Sequence, residues 1–230
     1  LESVSSSVES IVGDVLKTAG AWRTGHFLLS SGLHSDQYVQ CQRVMQYPRF
    51  GNLLADLLAE KLAALKIEAE VVLGPALGAV HWELFVAEAI ERRKFKNDLG
   101  SYFLNSDTVN GATNEKELDK MIRAAFAERP AGSDEFSLRR GIELEKGQKV
   151  VVVEDVTTTG GSARKVVELV RELGAQPVAV GTIADRSGGT AKFDVPFISL
   201  LSMKLETFQP EECPMCKAGS QAEKPGSSKK

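Results

Sequence analysis

One stretch restricts the fold more than any other: VVVVEDVTTTGGS, Val150 to Ser162. Four consecutive valines suit a buried strand. Two acids follow, and then a Thr-Gly-Ser run leads into SARKVVELVRELGA. There Val166, Leu169, Val170 and Leu173 make one helical stripe, and Gly174 stands where a C-terminal cap belongs. Strand, loop and helix in that order are one β-α unit.

The same rhythm recurs along the chain. Val8, Ile11, Val12, Val15 and Leu16 are spaced for an N-terminal helix ending near Gly20, and HFLLSSGLHSDQYVQCQ reads as strand-turn-strand. GNLLADLLAEKLAALK is an amphipathic helix, AEVVLGP a short buried strand and GAVHWELFVAEAIERR a second helix. RAAFAERP is a second strand stopped by Pro130, VVVVED a third, and PVAVGTIADR a fourth. Short apolar strands alternating with helices predict an α/β fold, a central parallel sheet flanked by helices with right-handed crossovers. Ligands in such folds bind beyond the carboxyl ends of the strands. The loops Gly74-Pro75-Ala76-Leu77-Gly78 and Thr157 to Ser162 should therefore face one cleft.

A single domain is expected over residues 1–219. About 93–122 is an insertion, with Thr113 or Asn114 able to cap a short helix, and 220–230 is a disordered tail. A net charge of -3 argues against a nucleic-acid partner, and no apolar run approaches the roughly 18 residues of a membrane span. The N-terminal LESVSSSVESIVGD has no uninterrupted apolar segment of the signal-peptide kind, so a cytoplasmic enzyme is expected. Three cysteines, Cys41, Cys213 and Cys216, cannot frame a disulfide scaffold. Cys213-Pro-Met-Cys216 is a CxxC without a second cysteine pair, and reads as two thiols in a turn or as half of a metal site shared between subunits. His26, His34 and His81 show no metal spacing, so no protein-bound metal is expected.

The opening stretch also carries chemistry. Its loop offers hydroxyls, glycine-freed amides and a helix N-terminus, which together cradle an anion. It is neither a GxxxxGK[ST] nor a GxGxxG loop. Glu154 and Asp155 would repel a bare phosphate, but carboxylates accept hydrogen bonds from sugar hydroxyls while the loop takes a phosphate one sugar length away. The ligand should carry a diol and a phosphate on one ring. Acids that merely cap the next helix are the plainer alternative.

VVVVEDVTTTGGS matches the phosphoribosyl-pyrophosphate motif of the type I phosphoribosyltransferases. The chain resembles the orotate-specific branch of that family through HFLLSSGLHSDQYVQ, GPALGAV, FAERPAGSDEFSLRRG, IADRSGG and CPMCKAG, in the family's order from about Ile11 to Gly219. The resemblance implies a small N-terminal hood over the sheet. It also implies transfer of the phosphoribosyl group to orotate, giving orotidine monophosphate and pyrophosphate in pyrimidine biosynthesis. Mg²⁺ would be bound mainly through the substrate pyrophosphate, and a homodimer would share its active sites.

By the same resemblance, Glu154 and Asp155 hold the ribose, while Val156, Thr157, Thr158, Thr159, Gly160, Gly161 and Ser162 form the phosphate loop. Ala76, Leu77 and Gly78 face pyrophosphate, and Thr158, Arg186, Tyr38 and Val39 take orotate. Arg129, Arg139 and Arg140 join Asp155 as catalytic residues, on a loop that closes over the reaction. Without the resemblance, Arg186 would pass for a surface ion-pair partner and Tyr38 for an ordinary aromatic. Other branches carry Lys where Ser30 and Gly78 stand; the branch resembled here also has Gly at the second position, so Ser30 is the local departure. The loop carries Asp134 and Glu135 where cations would be expected, which leaves closure to the three arginines. A purine or xanthine phosphoribosyltransferase, or a non-catalytic phosphoribosyl-pyrophosphate sensor, are the alternatives.

Overall fold

The computed structural model describes residues 2–29, 31–94 and 121–225. Its elements are α1 (Glu2–Thr18), β1 (Trp22–Leu28), β2 (His34–Val39), α2 (Gln42–Met45), α3 (Pro48–Ala64), β3 (Val71–Pro75) and α4 (Val80–Lys94). They continue with β4 (Arg123–Ala127), β5 (Lys149–Thr157), α5 (Gly161–Glu172), β6 (Gln176–Asp185), β7 (Phe197–Ser202) and α6 (Pro214–Lys217). Ser30 and nearly all of the expected insertion lie outside the described residues.

The valine run behaves as its composition dictates. Val150, Val151, Val152 and Val153 are all fully buried. Alternate side chains leave opposite faces of a strand. Val151 and Val153 meet α1, α3 and α4 through Val12, Leu54, Leu58 and Trp82, whereas Val150 and Val152 meet α5 through Val166 and Val170. Two cores thus lie on the two faces of one sheet. The sheet is parallel throughout, in the order β4-β3-β5-β6-β7. The sequence reading anticipated four of these strands and missed β7, FISLLS, which follows β6 without an intervening helix.

After β3 the chain turns through α4 to β4 on one side, then jumps back across β3 to β5 on the other. Loops leaving β3 and β5 therefore diverge, and open a crevice at the carboxyl edge.

A second, two-stranded antiparallel sheet, β1-β2, forms the hood. The C-terminal segment lies along it: Phe208 exchanges backbone hydrogen bonds with His34, and Glu223 with His26 and Leu28. The expected tail is thus paired as far as Glu223, and residues 226–230 lie outside the described residues.

Leu58 lies fully buried at the heart of the first core, while Leu65, one residue beyond α3, is 58% exposed. Leu58→Ala should cost about 2–5 kcal/mol in denaturant unfolding. Leu65→Ala should stay within about 0.5 kcal/mol.

Candidate active site

At the carboxyl edge the two expected loops meet. A Cβ placed on Gly78 would sit 3.1 Å from Asp155 Oδ1, so the loop after β3 runs directly against the acid at the end of β5. Gln42, which the sequence reading did not single out, braces that loop by donating from Nε2 to the carbonyls of Leu77, at 3.2 Å, and Gly78. Ala76 anchors it from the other side, its amide donating to Ala127 O at 2.8 Å, while Leu77 is 84% exposed.

Glu154 and Asp155 are delivered by a strand that cannot leave the core, so they are partly desolvated. Burial, reinforced by Asp155, raises the Glu154 pKa to about 8, with Arg129 acting in the opposite direction. Asp155 is also raised by burial, against the backbone amide of Val156, which donates to Oδ1 at 2.8 Å. Among the described residues, the Val156 amide is a donor seen on this acid pair, which leaves carboxyl oxygens able to accept further hydrogen bonds.

The Thr-Gly-Ser loop follows. Thr157 ends β5 with its side chain 1% exposed and its hydroxyl unpartnered, so its neighbours Thr158 and Thr159 are the threonines that face solvent. Gly160, at φ +78°, turns the chain through a left-handed conformation that favours glycine, and α5 begins at Gly161 and Ser162. Arg164, one turn into the helix, donates to Thr159 O at 2.8 Å and ties the loop down.

Next to this loop lies Arg186, whose amide donates to Thr157 O at 2.8 Å. Its Nε is buried and has no hydrogen-bond partner. Burial lowers the guanidinium pKa, with Tyr38 and Cys41 acting in the opposite direction. The Cys41 thiol, fully buried, is pushed well up by burial and then by Asp155, with Arg186 acting in the opposite direction. Tyr38 lies on β2 with its ring 5.7 Å from that of Phe27. Val39, expected beside it along a ligand, instead turns its side chain into the core, as the two-residue period of a strand requires.

The loop after β4 is folded onto the body of the protein. Glu128 and Ser137 pair across it, and Phe136 is buried in the second core. Arg129 stacks 4.6 Å from the Phe136 ring, and Arg140 binds Glu128 at 2.8 Å, while Arg139 is exposed. Asp134 and Glu135, out of place in a cationic loop, pair with Lys165 of α5 at 2.5 and 3.4 Å. In this conformation Arg129 is the loop arginine that acts electrostatically on Glu154.

Two histidines lie beside the CxxC. Donor atoms of His26, His34, Cys213 and Cys216 all lie within 4.8 Å of one another, with no carboxylate among them. The cue was available in the strand-turn-strand reading. Leu28 pairs with His34, which makes His26 and His34 diagonal neighbours on one face of the hairpin.

A cavity of about 590 Å³ opens at the opposite edge of the sheet, lined by Leu62, Ile67, Ile90, Ile122 and Lys149, where none of these groups reaches.

Glu83, behind β3 on α4, is 3% exposed, and its Oε2 has no partner. Burial raises its pKa from 4.5 to about 9, against a hydrogen bond from the Gly74 amide. Below pH 4.5 the group is protonated in both folded and unfolded chains. Above that the unfolded chain ionises while the folded one keeps its proton, so stability falls as pH rises toward about 9. Glu83→Gln should flatten the decline of Tm with pH across that window.

A family model for the phosphoribosyl transferase domain matches residues 42–212. The orotate phosphoribosyltransferase of Thermotoga maritima is 42% identical over 217 residues, covering 94% of this chain and 98% of its own length. That of Caldanaerobacter subterraneus subsp. tengcongensis is 43% identical over 205 residues, 89% of this chain and 90% of its own. The solved structure of Mycobacterium tuberculosis orotate phosphoribosyltransferase with inorganic phosphate aligns at a TM-score of 0.60 and 24% identity, covering 85% of this chain and 95% of that one, a likeness of fold. With the matched span enclosing the acid pair and the anion loop, and relatives of this identity covering nearly the whole chain, the protein belongs to the phosphoribosyltransferase family.

Proposed function

We infer that the chain is an orotate phosphoribosyltransferase. The observation that carries this reading is Arg186: a partly buried guanidinium with an unpaired Nε, tied through its amide to the phosphate loop. It stands beside the Thr-Gly-Ser loop, where a planar carboxylate can be read by a planar fork. The names of the relatives at 42% and 43% identity support the same substrate.

In the proposed reaction orotate reacts as its anion with N1 already deprotonated, so N1 forms a bond to ribose C1 as the bond from C1 to the pyrophosphate oxygen breaks, and pyrophosphate leaves with the electron pair. Thr158 to Ser162 hold the 5-phosphate, and Glu154 and Asp155 the ribose hydroxyls. Ala76 to Gly78 present backbone to pyrophosphate, while Tyr38 and Arg186 orient the base. Arg129 lies within electrostatic reach of Glu154, which keeps a cation at the edge where the diphosphate charge develops. Release of the loop from Lys165 and Glu128 would let Arg139 and Arg140 join it.

Two carboxyl groups with raised pKa are too few hard donors to hold Mg²⁺ alone, but they fit an ion carried in by the diphosphate, beside the ribose hydroxyls. Mg²⁺ bound there would neutralise the leaving group.

A homodimer accompanies this reading. Leu77, Leu84 and Tyr47 are 84%, 58% and 52% exposed. They lie near the start of α3 and α4, apolar surface that a second subunit would cover. No helix among the described residues is long and apolar enough to cross a membrane, which suits a cytoplasmic enzyme.

Incubation with orotate, phosphoribosyl pyrophosphate and Mg²⁺ should deplete orotate absorbance, and adenine, hypoxanthine or xanthine should not substitute. Binding of phosphoribosyl pyrophosphate without turnover of any base would point to a sensor instead. Arg186→Ala should raise the orotate KM by about 10–100-fold, the loss of a charged hydrogen bond. Asp155→Asn should impair use of phosphoribosyl pyrophosphate while Tm holds. Light scattering should give twice the chain mass, and Leu84→Asp should shift it toward the monomer.

A further inference from the structure

We propose that His26, His34, Cys213 and Cys216 bind one zinc ion, a structural site that fastens the C-terminal segment to the hood. The four side chains come from three separate elements: His26 from β1, His34 from β2, and the cysteines from the N-terminal end of α6 and its first turn. Yet their donor atoms converge. His26 Nε2 lies 2.8 Å from His34 Nδ1, 3.4 Å from Cys213 Sγ and 3.7 Å from Cys216 Sγ, and Cys216 Sγ is 3.3 Å from His34 Nδ1.

A tetrahedral zinc, with Zn–N about 2.0 Å and Zn–S about 2.3 Å, spaces its donors about 3.3–3.8 Å apart. The three sulfur-nitrogen distances given above fall in that range, and every pair of donors lies within 4.8 Å. The two imidazole nitrogens stand closer than a tetrahedron needs, and a small ring rotation separates them.

The chemistry of the set selects the ion. Two imidazoles and two thiols with no carboxylate suit zinc rather than magnesium or calcium. Four protein donors leave no open position, the pattern of a structural rather than a catalytic site. His26, His34 and Cys213 are buried at 8%, 8% and 0% exposure, and Cys216 is partly so. The far ring nitrogen of His26 is also engaged: Nδ1 lies 3.2 Å from Ser220 Oγ, which fixes the ring and leaves Nε2 free to ligate. The site is completed within one chain, without a second subunit.

What the ion would hold together follows from the backbone. Residues 187 positions apart, His26 and Cys213, meet here, and the surrounding contacts are thin. Glu223 N donates to His26 O at 2.8 Å, Phe208 exchanges bonds with His34 at 2.9 Å, and Ser35 Oγ donates to Glu206 O at 2.7 Å. Arg23 pairs with Glu223 on the surface. A few edge bonds and an exposed ion pair close a very long loop weakly, and a metal clip supplies what they lack. Tyr38 lies on the same strand as His34, so the clip also sets the height of the hood over the base side of the cleft.

The test is metal content. Protein purified without chelator on a tag lacking histidine should carry one zinc per chain by plasma mass spectrometry. Cobalt substitution should give the intense visible bands of a tetrahedral thiolate site. Cys213→Ser/Cys216→Ser should abolish binding of both ions and lower Tm, and His34→Cys, which keeps a ligand, should retain zinc. In the zinc-free variant the orotate KM should rise more than kcat falls, in assays saturated with Mg²⁺. Zinc-free, folded wild-type protein whose Tm does not respond to added zinc would overturn the proposal. So would a native Cys213–Cys216 disulfide, or zinc that persists in the double variant. None of the metal readouts depends on turnover of orotate, so they stand or fall apart from the reading of the active site.

Discussion

The parallel pairing of β5 between β3 and β6 is the constraint on which the rest of the structure depends. Both faces of its valines are buried, so the strand has no freedom to slide or tilt. Whatever follows Val153 is delivered to one place at the carboxyl edge. The delivery has an electrostatic consequence: Glu154 and Asp155 arrive partly stripped of water, and both pKa values rise. A site that keeps its carboxyl groups under-solvated awaits hydroxyl donors. On the proposed reading, a ribose diol would supply the hydrogen bonds that burial takes from them.

The anion-binding half of the site is built from residues adjacent in the chain, and for that reason it was legible in the sequence. Strand, acids, glycine turn and helix N-terminus occupy Val150 to Ser162 without interruption. The base half is assembled from distant segments. Tyr38 comes from the hood, Cys41 from the turn after it and Arg186 from the end of β6, and only the sheet topology brings them together. Spacing along the chain says nothing about such contacts. The same reason hid the histidine pair from the CxxC, and β7, which has no helix before it to mark a β-α unit, from the strand count. Val39 shows a shorter-range effect. Neighbours on a strand point to opposite faces, so beside Tyr38 it can offer a ligand its backbone but not its side chain.

The acids of the loop after β4 acquire a role from the structure. Asp134 and Glu135 looked like a defect in a segment that should carry positive charge. They pair with Lys165 on α5, and Glu128 takes Arg140, so the loop is docked by exposed ion pairs and one buried ring, Phe136. Exposed pairs of this kind contribute about 0–1 kcal/mol each, and water replaces them readily. Phe136 is the stronger anchor. The flanks of the loop are therefore held more weakly than its centre, and on the proposed reading their arginines would turn toward the charge of the diphosphate.

The two halves of the cleft therefore differ in how they are held. The phosphate loop and the acids hang from a sheet whose core is continuous on both faces. The hood, which carries Tyr38, rests on that body through α1, α2 and the edge bonds of the C-terminal segment. Any loosening of the hood would leave sugar-phosphate recognition intact and blur the recognition of the base. A small domain element with too little core of its own is the place where a metal ion contributes most to order. The convergence of two histidines and two cysteines in the hood, rather than in the sheet, follows the same distribution of stability. On the proposed reading, the rigid half takes the phosphoribosyl part of the substrate and the hood takes the base.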